Sequence, residues 1–305
     1  MKNKGVLYAL CAGISWGISL GIFGRTMTSF GFTAMQVSAV RTTISAITFI
    51  ILALVTDRKA FRLNPKDIWI FLCSGFISVT LFCWCYFTST RLCSLAVGGV
   101  LQYTAPVWVV VFSAVIFKEP ITKVKAAAMA IAIAGCVLVS GITHGVGQVS
   151  AFGLVAGVFS GITYGSYTIF TRFAVPKYRT MTINVYTFIV ASATSLLLSG
   201  PVKTASAVCT PKVLPVAIIG GIMCAAVPYY FYNKSLETLE NGKASILATI
   251  EPVIAVMVSV FYYKEPLSVE ALIGIALILG AVVILAIQKD GVPVKAEHQE
   301  VQAAK

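Results

Sequence analysis

Of 305 residues, 58% are hydrophobic and only 11% are charged, and the mean hydropathy is +0.90. That is more apolar side chain than one water-soluble core can hide, so a soluble domain is excluded and lipid is the solvent. The formal charge of +12 would suit a nucleic-acid binder, but the basic residues are distributed in a way that excludes this reading too.

Ten stretches of about 20 apolar residues follow one another, each long enough to cross roughly 30 Å of hydrocarbon at about 1.5 Å per residue. The first, 5–24, contains Gly13-Ile14-Ser15-Trp16-Gly17 and spaces small residues by four, with Ala9, Gly13, Gly17 and Gly21 forming one flat stripe for close helix approach. It is full length and echoed later in the chain, so it is expected to be a mature span and not a cleaved signal. The second, 33–55, holds Arg41 about eight residues in, roughly 12 Å deep at helical rise. The third, 68–90, carries Cys83-Trp84-Cys85 and Tyr86. The fourth, 94–117, contains Gln102, Tyr103 and Pro106 and ends at Lys118-Glu119-Pro120. The fifth covers 124–142.

The sixth stretch, 152–171, repeats the small-residue stripe with Gly157, Gly161 and Gly165 and adds Tyr164 and Tyr167. The seventh is 181–199, and the eighth, 214–233, ends in Tyr229, Tyr232 and Asn233. The ninth, 244–263, contains Ile250-Glu251-Pro252 and leads to Lys264-Glu265-Pro266; the tenth is 268–288. A polar tail, 289–305, is expected to be disordered.

The two halves repeat one another. Gly13-Ile14-Ser15-Trp16-Gly17 returns as Gly161-Ile162-Thr163-Tyr164-Gly165, and Ile22-Phe23-Gly24-Arg25 as Ile169-Phe170-Thr171-Arg172. The interval from Pro106 to Glu119 equals that from Pro252 to Glu265, 13 residues. Five spans per half is an odd number, so the second copy enters the membrane from the opposite side. The expected fold is therefore an all-α integral membrane protein of ten transmembrane helices in two inverted-topology repeats, 1–145 and 146–288, with the tail after them. If the N-terminus is cytoplasmic, seventeen Lys and Arg fall in cytoplasmic segments and five outside, with Arg41 inside a span. This is the positive-inside pattern, so both termini are expected in the cytoplasm of a multi-pass protein of the cell membrane.

Matching Pro106 and Pro252 break their helices and suggest a cavity, although a static kink reads equally well. The two Lys-Glu-Pro segments read as punctuation between helices, with a gate contact at each face as the alternative. Asymmetry marks Arg41, which has no cation at its counterpart near Ile189, and Glu251, whose counterpart is Ala105. A buried charge is a site hypothesis by default, set against snorkelling for the arginine and capping for the glutamate. Trp16, Trp84, Tyr86, Gln102, Tyr103, Tyr164, Tyr167, Tyr229, Tyr232 and Asn233 are candidates to complete a pocket. The cysteines read as free thiols, and without Cys-x-x-Cys or clustered histidines no metal site is expected; His144 and His298 fall in a loop and the tail. No enzyme or ATP-binding motif occurs and no cofactor is expected.

With ten spans in two sets of five, and with Tyr103-Thr104-Ala105-Pro106 leading to Lys118-Glu119-Pro120 as Ile250-Glu251-Pro252 leads to Lys264-Glu265-Pro266, the chain resembles the EamA-type branch of the drug/metabolite transporter superfamily over about residues 5–288. The resemblance implies that Arg41, Trp16, Tyr103, Pro106, Tyr164, Glu251 and Pro252 border a central cavity. Small multidrug relatives place a glutamate in the middle of the first helix, whereas here no acid stands between Tyr8 and Arg25. The expected activity is secondary transport, as an exporter, of small polar metabolites with amino acids foremost, with protons as a candidate coupling ion. Efflux of aromatic or cationic toxic compounds is the alternative. A membrane scaffold or lipid-handling protein without a solute path is the reading from another class.

Overall fold

The computed structural model describes residues 2–142, 149–264 and 266–287. The tail 289–305, with His144, His298 and Glu265, lies outside the described residues. Among those described, the secondary structure is helical. In chain order the helices are α1 (Lys2–Ser29), α2 (Ala34–Thr56), α3 (Ile68–Leu72), α4 (Phe82–Leu92), α5 (Leu95–Gln102), α6 (Ala105–Phe117), α7 (Lys123–Val139), α8 (Ala151–Ala174), α9 (Thr180–Ser199), α10 (Pro201–Val208), α11 (Leu214–Gly221), α12 (Val227–Leu236), α13 (Asn241–Leu247), α14 (Ile250–Phe261) and α15 (Val269–Ile287). Cys73–Leu81 and Ile222–Ala226 are π-helical and join α3 to α4 and α11 to α12.

Helices stand at all ten expected places, and eight of them are long and apolar enough to cross a membrane. The other two are α7, of 17 residues, and α8, whose 24 residues include Ser160, Thr163, Ser166, Thr168, Thr171 and Arg172. Helix α10 lies in what the sequence suggests is a plain loop. Gly200, in the left-handed conformation at φ 77°, turns the chain, and Pro201 starts the helix with its ring-fixed φ.

Local chemistry sets the helix ends. Thr33 and Gln36 close a reciprocal capping box at the start of α2, while Ser94 and Thr122 cap α5 and α7 through their hydroxyls. In both Lys-Glu-Pro segments the lysine takes the left-handed region, Lys118 at φ 56° as the C-cap of α6 and Lys264 at φ 60° shortly beyond α14. The continuous helix is broken before each motif proline, at 103–104 and at 248–249.

The polarity is the reverse of a soluble protein. Large apolar side chains such as Leu7, Ile51, Val115, Leu197 and Ile287 face outward, whereas Ser45, Ser78, Thr80, Thr187, Asn184 and Asn233 are buried. Where lipid surrounds the bundle, short hydroxyls and small residues hold helices together through close approach and hydrogen bonds. They do so reciprocally. The first π segment leans on α8 and α9, with Ser78 bonding Ser166 at 2.7 Å and Ser74 bonding Thr187 at 2.9 Å. The second leans on α1 and α2, where the hydroxyl of Ser19 donates to the Met223 carbonyl and that of Ser45 to the Gly221 carbonyl, both at 3.0 Å.

Candidate functional site

Between the two broken helices lies a cavity with about 40 Å³ for water centres, room for roughly three waters. Its wall is drawn from both halves: Trp16 from α1; Gln102, Tyr103, Ala105 and Pro106 at the first break; Tyr164, Gly165, Tyr167 and Thr168 from α8; Tyr229 and Tyr232 from α12; Ser245, Ala248, Thr249 and Glu251 at the second break. A drug-sized ligand needs about 300 Å³ or more. The walls must therefore part before anything larger than a few atoms enters.

Trp16 is the hub. Its ring meets Tyr229 edge-on at 5.2 Å, Tyr232 at 5.6 Å and Tyr164 at 6.5 Å between centroids, and Tyr167 meets Tyr229 at 4.9 Å. Edge-to-face pairs of this kind contribute about 0.5–1.5 kcal/mol beyond area burial. The phenols are anchored from behind: Thr168 and Tyr232 share a hydrogen bond of 2.8 Å, and the side-chain amide of Asn233 donates to the Tyr167 hydroxyl at 2.8 Å and to Asn184 Oδ1 at 2.6 Å. These bonds fix Tyr167 and Tyr232 in the wall.

Glu251 is the charged residue of this wall. It is 8% exposed, and among the described residues its carboxylate makes no salt bridge and no side-chain hydrogen bond. Burying a carboxylate without a partner is expensive. A side chain retained in that state beside a cavity and an aromatic wall suits a cationic group brought by a ligand.

Of the residues singled out in the sequence, Trp16, Gln102, Tyr103, Pro106, Tyr164, Tyr167, Tyr229, Tyr232 and Glu251 share this one wall. Pro252 sits beside Glu251 in the first turn of α14. Arg41, Trp84 and Tyr86 are not part of it. Arg41 is buried outside the lining, its NH2 donating to Cys83 Sγ at 3.2 Å, where the Ser38 hydroxyl also donates at 3.1 Å. No hydrogen bond or salt bridge joins it to Glu251 among the described residues. The register of α4 turns Cys83 and Cys85 inward and leaves Trp84 45% exposed, and the Tyr86 ring packs tilted against Phe82 and edge-on against Phe87. All eight cysteines are free. Thr168, Ser245 and Thr249 went unnoticed in the sequence. Thr249 was findable, since the helix must break just before Glu251-Pro252 and the residue there turns toward the gap.

A family profile described as the EamA-like transporter family matches residues 3–141 and again 151–287. Among curated proteins, an uncharacterized transporter of Archaeoglobus fulgidus is 28% identical over 202 residues, 65% of this chain and 70% of its own. The uncharacterized transporter YetK of Bacillus subtilis is 22% identical over 297 residues, 94% of this chain and 88% of its own. The uncharacterized transporter YwfM, also of Bacillus subtilis, is 24% identical over 217 residues, covering 70% and 72%. A solved crystal structure superposes with a TM-score of 0.76 at 19% identity, over 93% of this chain and 96% of the other, and so shares the fold.

Proposed function

Since the chain belongs to the EamA-like transporter family, we propose that it is a secondary transporter that carries small polar metabolites, amino acids foremost, through the cavity at Trp16 and Glu251 by alternating access. On this reading the ten helices cross the cell membrane as two inverted sets of five, 1–145 and 146–288, with both termini in the cytoplasm, and transport runs outward. Inverted halves that share a midplane site exchange inward-open and outward-open forms by swapping conformations. No cofactor enters the scheme. Protons are the candidate coupling ion.

One observation carries the reading: a buried, unpartnered carboxylate, Glu251, on a cavity walled by both halves. An ammonium group would pair with Glu251 while the apolar part of the substrate lies on Trp16 and the tyrosines, and Gln102, Ser245 and Thr249 offer hydrogen bonds to its remaining polar atoms. The same observation favours a second reading, efflux of aromatic or cationic compounds, because Arg41 stands behind the wall and no cation in the lining receives a carboxylate. Counterflow into proteoliposomes, across amino acids, amines and organic cations with and without a pH gradient, tests both. Zwitterion uptake supports the first, cation uptake alone the second. No flux of any solute through folded protein overturns both and leaves the scaffold reading.

A further inference from the structure

At the end of the bundle that carries the N-terminus, a group of charged side chains is buried between the halves. Glu119, from the first Lys-Glu-Pro segment, lies with its Oε1 3.7 Å from NH2 of Arg172 at the end of α8, and each side chain is 9% exposed. The same oxygen accepts from the backbone N–H of Asn241 at 3.2 Å, and the Asn241 side chain donates to the Ser113 hydroxyl at 3.1 Å. Lys125 pairs with Glu240 and donates to the Pro120 carbonyl at 3.0 Å. Arg172 NH1 donates to the Leu239 carbonyl at 3.4 Å. Each half contributes one member of both ion pairs.

Two features separate this cluster from an ordinary structural ion pair. First, it sits at the far end of helices that begin at the cavity. Helix α6 is buried at Ala105, Pro106, Val109, Val110 and Ser113, from the cavity wall to the cluster, whereas its counterpart α14 is buried only at Ile250–Val253. Arg172 is 8% exposed, while Arg25, its counterpart in the repeat, is exposed and lies over the Tyr263 ring, 4.2 Å from the centroid. Second, the cluster is incompletely satisfied. Glu119 Oε2 and Asn241 Oδ1 are buried without a hydrogen-bond partner. Burial also pushes the Glu119 carboxyl above its usual range, and the Asn241 amide and the Arg172 and Lys125 cations pull it back only in part. A buried pair with a long contact and orphaned acceptors contributes little net stability, so a separation that hydrates both members would cost little.

We propose that Glu119–Arg172, seated on Asn241 and flanked by Lys125–Glu240, closes the cavity toward the N-terminal face, and that its separation is the step that opens this face during transport. The proposal rests on the reading of the protein as an alternating-access carrier, but its principal test needs no substrate. Ser245→Cys places a thiol on the cavity wall. Its labelling by a membrane-impermeant thiol reagent, applied from either face and corrected for the native cysteines, reports which mouth is open. Glu119→Arg sets a cation against Arg172 and should raise labelling from the N-terminal face at least threefold. The swap Glu119→Arg with Arg172→Glu should return it to the parent level, which a lost structural contact would not do. Unchanged labelling in inserted Glu119→Arg protein, or failure of the swap to restore the parent level, overturns the proposal.

If charge reversal prevents folding, a covalent version of the closure decides. A Cβ on Gly242 would stand 3.9 Å from Cβ of Val110, the separation a disulfide requires. Oxidised Val110→Cys/Gly242→Cys protein should show no labelling from the N-terminal face above the native-cysteine background, and reduction should restore the parent level. Equal labelling with the bond formed overturns the assignment. Whether any solute is transported bears on the carrier reading alone.

Discussion

A Cβ on Gly17 would stand 2.5 Å from the carbonyl oxygen of Glu251, so the backbone of α1 rests directly on the first turn of α14. The second half repeats the contact, since a Cβ on Gly165 would stand 3.0 Å from the Ala105 carbonyl oxygen, and one on Gly13 or Gly161 would stand 2.7 Å from a carbonyl oxygen near the break, that of Ala248 or Leu101. Gly21 continues the stripe with nothing within 4 Å. Gly17→Ala therefore overpacks the wall that aims Glu251 and should cost about 1–3 kcal/mol. Thermal unfolding of the purified protein should show a lowered midpoint for Gly17→Ala and an unchanged one for Gly21→Ala. Equal losses at the two positions would mean that the stripe packs in some other way.

Glu251→Gln keeps the side-chain shape and removes the charge. Transport of substrates bearing an ammonium should fall at least tenfold, about 1.4 kcal/mol, with folding intact. Arg41 is a buried cation outside the cavity lining, so Arg41→Gln should make the cavity more negative and tighten the binding of cations. Counterflow with paired cationic and anionic solutes measures both. If Arg41→Gln instead costs anionic solutes tenfold and leaves cations unchanged, the arginine reaches the substrate directly.

Lys118 ends α6 at φ 56°, a conformation natural to glycine and strained for a residue with a Cβ. Lys118→Gly should hold or raise the unfolding midpoint, whereas Lys118→Val, whose branched side chain suits that region least, should lower it. A drop for glycine as large as that for valine would show that the lysine side chain supplies the stability.

Tags at either terminus should report the cytoplasm, and a tag near Lys203 in α10 should report the exterior. Reporter fusions that require one or the other compartment give the answer. Cytoplasmic exposure at Lys203 would remove the inversion of the two halves.

The helix breaks were legible because proline acts locally: Pro106 and Pro252 forbid a continuous helix wherever they stand. Most of the cavity wall was legible for a related reason, since aromatic and polar residues deep in an apolar span have few places to go but inward. Trp84 shows the limit, because composition put it in the span while the register of α4 turned it outward. Arg41 shows another: its depth was readable, but its partner Cys83 lies 42 residues away on a different helix. The π segments have no such local mark, and nothing in the run Cys73–Leu81 distinguishes it from ordinary helix. Glu119 and Arg172 read as loop charges because the contact between them is made by the packing of two halves.

The hydroxyl of Thr80, in the first π segment, lies 2.7 Å from that of Thr194, 3.0 Å from that of Ser195 and 3.3 Å from the carbonyl of Ala191. A seam with more partners than it uses behaves as a track with interchangeable stops. Such a seam would let the first π segment shift along α9 by part of a turn while Thr80 exchanges one hydroxyl partner for the next. An interlocked seam of leucines and phenylalanines would hold a single register. Alternative hydroxyl partners along one seam are what the proposed exchange between two shapes would require at the surface where the halves meet.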